Sequence, residues 1–342
     1  MTIFSFSLIH LCVTGQEKDS LEKKRSLEFI EPMNKYVTLK FTQSSDVDAF
    51  TVHSPNSKIE LEPNTKSISR LAFNYKFITI SLSFTLKFLP GNDNDTIRGK
   101  SKSNGFGFGF NFSNWSQHFA WQKTKGYYLN NTNEYVPNWK DGQPFIQFPD
   151  LSILNFEGVT AYKANENYSV NALATQSERQ LKSAGTFVVP LNYRYYMGKD
   201  KTPRNRPSDI RQKSSNLELT LSAGYYYTFV LKKTFYIGIG ATPGGGVLFS
   251  RITSETETEK QVSHQTNGIF RIDGLIGMGY NAERFFAGFY SQGFVTSYKQ
   301  QRSVVVTDES RLAFQFFIGY RLNAPKFLKN DVDKMERLMK IL

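Results

Sequence analysis

Apolar residues take every second position from Ile78 to Phe88: Ile78, Ile80, Leu82, Phe84, Leu86 and Phe88. Thr79, Ser81, Ser83, Thr85 and Lys87 fill the positions between them. A β-strand sends successive side chains to opposite faces, so this segment has one apolar face and one polar face. The pattern returns between Gly105 and Ser113, where Phe106, Phe108, Phe110 and Phe112 oppose Gly105, Gly107, Gly109 and Asn111. It returns from Leu217 to Phe229, with Leu217, Leu219, Leu221, Tyr225, Tyr227 and Phe229 against Glu218, Thr220, Ser222 and Gly224. Near the C-terminus Leu312, Phe314, Phe316, Ile318, Tyr320 and Leu322 oppose Arg311, Ala313, Gln315, Phe317, Gly319 and Arg321.

A soluble sandwich also alternates, so two further features decide the class. The apolar faces are long enough for the roughly 9–11 residues with which a tilted strand crosses lipid. The opposite faces hold Ser, Thr, Gly, Lys, Arg and Glu, which suit a wet lumen better than a packed core. Tyr and Trp gather near strand ends, as at Trp115, Tyr127, Tyr128, Tyr193, Tyr195 and Tyr196, where aromatic girdles belong. An open sheet edge in hydrocarbon leaves backbone groups unsatisfied, so the sheet must close. The expectation is an all-β chain, a closed antiparallel transmembrane up-and-down β-barrel with a short C-terminal helix. Its strands number about 12, within a range of roughly 10–14.

Short connections fall near Asn74–Lys76, Ser113–Asn114, Lys232–Lys233 and Asn281–Glu283. Long ones fall at Thr42–Lys58, Leu89–Lys100, Asn130–Asp150, Met197–Ser214, Arg251–Ser263 and Lys299–Glu309. The two kinds alternate, which places the short turns in the periplasm and the long loops outside. Lys163–Gly185 disturbs the alternation. Reading Leu151–Ala174 as one bent strand with a polar turn after it restores an even count. Both chain ends then lie in the periplasm. In the tail, Leu328, Val332, Met335, Met339 and Leu342 recur at helical spacing and form one apolar face. That helix is expected to pack under the barrel mouth, with docking to a periplasmic partner as the alternative.

Composition adds export. The N-terminus is an apolar run that ends in small residues at Gly15 and turns charged at Glu17-Lys18-Asp19, the form of a cleaved secretory signal. The expected organisation is a signal peptide over 1–15, a periplasmic segment over 16–34, the barrel over 35–323 and a periplasmic C-terminal amphipathic helix over 324–342. Cys12 is the only cysteine and would leave with the signal. Leu11 before it argues against a lipid anchor. The formal charge is +12, concentrated at Lys199, Lys201, Arg204, Arg206, Arg211 and Lys213. That cluster reads as a solvated loop or as a contact for phosphate-bearing headgroups or an anionic ligand. Outer-membrane lipid is the expected partner, and nucleic acid is not expected for an exported chain.

Two segments carry a family resemblance. Gly99-Lys-Ser-Lys-Ser-Asn-Gly-Phe106, running on to Gln122-Lys-Thr-Lys-Gly-Tyr-Tyr-Leu129, is one; Gln176-Ser-Glu-Arg-Gln-Leu-Lys-Ser-Ala-Gly185 is the other. They resemble the signature of domain-of-unknown-function family 4421, a Bacteroidetes-type family regarded as outer-membrane β-barrels. The resemblance extends from Lys35 to Leu322. It implies a barrel in the cell outer membrane and supplies no catalytic residues. Ser177–Ala184 is expected to be a structured turn or an inward plug.

Candidate chemistry is sparse. Beyond the signal the histidines are His53, His118 and His264; none pairs at metal-ligand spacing, and no metal or cofactor is expected. The glycine clusters open no helix in a βαβ setting and read as small residues at bends or inside a barrel. His264-Gln265-Thr266-Asn267-Gly268 is similar to the His-x-Ser-Asn-Gly motif of outer-membrane phospholipases. There Thr266 replaces the serine, and no orienting asparagine follows downstream. The expected lumen-lining residues are Lys40, Lys87, His118, Arg194, Glu218, Arg271, Asp273, Arg311 and Arg321, mixed in sign but tilted basic. The leading expectation is a non-enzymatic outer-membrane barrel: a narrow anion-preferring pore, a transport component or a structural protein. A phospholipase-like enzyme acting through His264 and Thr266 is one alternative, and a soluble exported ligand-binding barrel is another.

Overall fold

A computed structural model describes residues 27–339 apart from 46, 48, 55, 56, 202–210, 256–258, 299–304, 308 and 309. The expected signal segment and most of the basic run after Lys201 lie outside the described residues. Within them, 12 antiparallel strands close a barrel. β1 spans Tyr36–Ser44, β2 Ile68–Tyr75, β3 Ile78–Phe84 and β4 Lys102–Asn111. β5 spans Trp115–Leu129, β6 Gln147–Lys163 and β7 Ala184–Lys199. β8 covers Arg211–Ser222 and Gly224–Leu231, and β9 covers Phe235–Glu255. β10 is Lys260–Asn281, β11 Phe285–Tyr298 and β12 Ser310–Asn323. Each strand pairs with the next, and β12 returns to β1 from Gln315↔Ser44 to Asn323↔Tyr36. The break in β8 faces Pro243 of β9: the Ala223 amide donates to the Pro243 carbonyl, and proline has no N–H to return.

The alternation sorts the faces. Leu312, Phe314, Phe316, Ile318, Tyr320 and Leu322 are all exposed on the outside, while Ala313, Phe317 and Arg321 are buried within. Phe106 and Phe108 of β4, and Leu217, Leu219 and Leu221 of β8, likewise face out. An outer wall of exposed Leu, Ile and Phe rows is stable where hydrocarbon covers it.

Three expected elements differ. The alternating run from Ile78 ends as a strand at Phe84. Beyond it Asn92 donates its amide to the carbonyls of Leu86 and Ser67, and Gly91 at φ 84° turns the chain. The supposed long loop Arg251–Ser263 is mostly paired strand, since β9 and β10 stay in register out to Glu255↔Lys260. The third is Leu151–Ala174: β6 stops at Lys163, and the chain then folds back into the barrel. Two short helices appear, α1 at Asp95–Arg98 and α2 at Val170–Leu173.

Two elements complete the wall beside β1–β4. In the first long connection Phe50–Ser54 pairs with Ser57–Glu62, whose far edge joins β5 through Leu61↔Leu129. The other edge of this hairpin pairs with Val305–Thr307 of the β11–β12 connection. At the opposite end lies α3, Lys326–Met339. It does not sit under the barrel mouth. Its Leu328 and Val332 pack with Val37, Tyr75, Phe77, Phe73 and Phe110. The strand residues among these have outward parity, so α3 lies against the outer wall. The mouth is already filled by residues 164–183.

Candidate functional site: the lumenal chamber

The floor of the lumen is the β6–β7 connection. Ser169 accepts a hydrogen bond from the Ala172 amide at 2.8 Å and caps α2, which starts a compact fold inside the barrel. Leu173 packs among the inward rings of Tyr236, Phe286, Tyr290 and Phe317. The wall beneath it is Gly238, where a Cβ would come within 2.8 Å of Leu173. Gln176 is fully buried and donates to the hydroxyls of Tyr236 at 3.0 Å and Tyr290 at 3.3 Å.

Barrel cations reach the carbonyls of this plug. Lys40 of β1 donates to Ala174 at 2.7 Å, and Lys163 at the end of β6 donates to Tyr168 at 2.7 Å. Arg321 of β12 has no exposure at all. Its Nε donates to the Gln176 carbonyl at 3.0 Å and its Nη2 to Asn281 Oδ1 at 2.6 Å. It also bonds the carbonyls of Ala282 and Glu283 in the β10–β11 turn. From the short-turn end of the barrel Ile30–Pro32 pairs with Glu178–Gln180 of the plug, joined by an Arg179–Glu31 ion pair at 2.7 Å.

Above the plug is a cavity of about 840 Å³. Its β6–β10 wall carries charges in closed groups. Arg271 binds Glu218 at 2.9 Å and Asp273 at 2.7 Å, and its guanidinium lies 3.9 Å from the Phe294 ring centre. Glu218 is on β8 and Arg271 on β10; the inward positions between them on β9 include Gly244 and Gly246, which place no side chain in the way. Arg194 of β7 pairs with Glu157 of β6 at 3.3 Å. The β1–β4 wall is different. Lys40 lies over the rings of Phe317 at 4.2 Å and Tyr290 at 5.0 Å, and Arg70 donates to Ser83 at 3.1 Å. Among the described residues neither has a carboxylate partner. His118 faces the same space and bonds Asn111 at 2.7 Å.

Toward the long-loop end the lumen narrows. Tyr127, Ile153, Tyr196, Leu248 and Ile269 form a buried apolar cluster, joined by Leu61 of the loop hairpin. These residues lie one or two inward positions beyond Arg194 and Arg271. A bulge at Gly126, φ 86°, shifts the β5 register next to Tyr127. The chamber is thus a polar layer between an apolar roof and a hydrogen-bonded floor.

The family model described as "Domain of unknown function (DUF4421)" matches residues 17–322. The chain belongs to the DUF4421 family. No curated protein matches it. Among solved structures, the outer membrane protease OmpT from Escherichia coli is similar at 6% identity and TM-score 0.38, covering 84% of this chain and 95% of its own. The β domain of the Bordetella autotransporter BrkA is similar at 11% identity and TM-score 0.39, covering 85% and 100%. The translocator domain of the autotransporter NalP from Neisseria meningitidis reaches 7% identity and TM-score 0.37, covering 93% and 98%. These likenesses are loose, and the fold stands on this chain's own strand register.

In this DUF4421 barrel the sequence-chosen residues divide into groups. Lys40 and Arg321 belong to the floor. Arg194, Glu218, Arg271, Asp273 and His118 face the chamber. Lys87 does not: it lies past the end of β3 and pairs with Asp95 of α1 at 3.0 Å. The side chain of Arg311 lies outside the described residues. His264 and Thr266 are exposed on the outer face of β10, and among the described residues they do not bond each other or a third, orienting group. Sequence reasoning missed Gln176, Tyr236 and Tyr290. The available signal was the loss of alternation after Lys163.

Proposed function

We propose that the DUF4421 barrel sits in the outer membrane as a gated transport component. Small polar solutes enter its chamber from outside, and they pass to the periplasm when residues 164–183 withdraw. The observation that carries this reading is the chamber itself. A rigid structural barrel has no need of a cavity of about 840 Å³, with charged groups in its wall, above a floor held mainly by side-chain-to-carbonyl hydrogen bonds. Such bonds contribute roughly 1 kcal/mol each, more when charged, so a floor of this kind can be released and remade.

The same geometry supports anion preference once the floor is out. Lys40 and Lys163 then lose the plug carbonyls they now bind and Arg321 loses that of Gln176, while Glu157, Glu218 and Asp273 keep their arginines. A lumen with that balance attracts anions.

The location is tested first. The chain is expressed with its N-terminal segment, outer membranes are isolated, and the barrel is run unheated and heated on a detergent gel. A heat-dependent mobility shift in the outer-membrane fraction is the expected result. Recovery in the soluble periplasm without detergent would return the reading to a soluble ligand-binding barrel.

A further inference from the structure

The wall residues at the periplasmic edge have two fates. Opposite α3, Phe187 is 65% exposed and Phe235 50%, free to meet lipid. Beneath α3, Val37 and Tyr75 are 4% and 2% exposed. The helix therefore stands where lipid stands elsewhere around the ring.

Its orientation follows from one ion pair. Asp333 binds Lys76 at 2.5 Å, and Lys76 is in the β2–β3 turn at the periplasmic tip of the barrel. The Asp333 flank thus faces the periplasm. At about 100° per residue, Met335 lies about 200° around the helix from Asp333 and Phe327 about 120°. Those two side chains are 43% and 69% exposed, on the flank turned from the periplasm toward the hydrocarbon belt. The other flank carries Lys326, Lys329 and Arg337, with Lys334 beside Phe327. Among the described residues none of these four forms a close ion pair with a carboxylate, and Lys329 and Arg337 act on Asp333 only at longer range.

We infer that α3 is a lipid-binding element that lies in the headgroup layer of the periplasmic leaflet. Phe327 and Met335 dip into the acyl boundary, and Lys326, Lys329, Lys334 and Arg337 take phosphates of anionic phospholipid. The inference rests on the outer-membrane reading above. A helix with a cationic face and a separate apolar flank binds an interface in this way, by buried apolar area and by attraction of its cations to anionic headgroups. A water-facing helix gains nothing from an exposed phenylalanine beside its docking stripe. The lipid wall is continuous with that flank.

The test uses the whole chain folded into phosphatidylcholine vesicles with and without phosphatidylglycerol. Spin labels are placed at Phe327→Cys, at Lys326→Cys and at Phe235→Cys on the bare wall. Collision with oxygen reports lipid, and collision with a water-soluble nickel chelate reports solvent. The expected result is an oxygen-to-nickel ratio at position 327 close to that at 235 and several-fold above that at 326. Bound spin-labelled phosphatidylglycerol should exceed bound spin-labelled phosphatidylcholine, and the four-site variant K326Q/K329Q/K334Q/R337Q should lose that excess. A lipid-like label at 235 with a water-like label at 327 would overturn the inference and leave the apolar flank to a periplasmic protein. An excess of phosphatidylglycerol that survives in the four-site variant would also overturn it. A water-like label at 235 would instead overturn the membrane reading on which it rests.

Discussion

β1, β2 and β3 span 9, 8 and 7 residues, while β9 and β10 span 21 and 22. A tilted strand needs roughly 9–11 residues to cross hydrocarbon. The long half of the wall exceeds that length and builds its own rim at the long-loop end. In the short half β1 only reaches it, and β2 and β3 fall below it. That half is completed above by the Phe50–Glu62 hairpin and below by α3. The lumenal faces differ in the same sense. In the long half, arginines are matched by carboxylates of the same strand or of strands one or two away; in the short half, the partners of Lys40 among the described residues are a plug carbonyl and two rings. The long half is therefore self-contained, and the short half depends on parts that can move.

The largest expected effect tests whether the floor depends on Arg321, the cation at the seam where β12 meets β1. Arg321→Met removes bonds to Gln176, Asn281, Ala282 and Glu283 at once. Breaking a buried charged network of this kind costs about 3–5 kcal/mol. Protease added to the folded barrel should then cut within 164–183, whereas the wild-type plug resists.

A paired comparison sharpens the contrast between halves. Arg271→Ala leaves Glu218 and Asp273 facing the chamber without their cation, and should lower unfolding stability by about 3 kcal/mol. Lys40→Met removes one charged hydrogen bond and the ammonium's contacts with two rings but keeps the stem's apolar contacts and relieves a buried charge, costing about 1.5 kcal/mol. Urea unfolding in detergent reads both. The reverse order would dissolve the distinction between a self-contained half and a dependent one.

The smallest effect is a pH dependence of α3. The Lys76 ammonium hydrogen-bonds Asp333 and holds its carboxyl below the usual carboxylate range. A carboxyl depressed in the folded state stabilises docking above its unfolded value, near 4. That contribution fades as pH falls through the depressed value. Proteolytic release of the C-terminal helix should rise slightly below about pH 4 and be pH-independent in Asp333→Asn.

The barrel was legible in the chain because lipid and lumen impose opposite chemistry on alternate residues, as from Leu312 to Arg321. The even strand count was legible through the alternation of short and long connections. The plug was not. Gln176 and Leu173 follow no period, and their partners Tyr236 and Tyr290 stand among other aromatic residues that face lipid. The helical face of Leu328 and Val332 was legible, but an apolar stripe says that a surface is covered and not which one. Lys87 was misplaced because alternation runs on past Phe84, where Asn92 and Gly91 turn the backbone.

The central claim is that residues 164–183 are a removable floor beneath the chamber and the main barrier to passage. Single-channel recording in planar bilayers compares the intact chain with one in which residues 165–182 are replaced by a short Gly-Ser turn. The account predicts a near-silent intact barrel and a steady, anion-preferring conductance without the floor. A floorless barrel that folds, shows its heat-dependent gel shift and still does not conduct would contradict it.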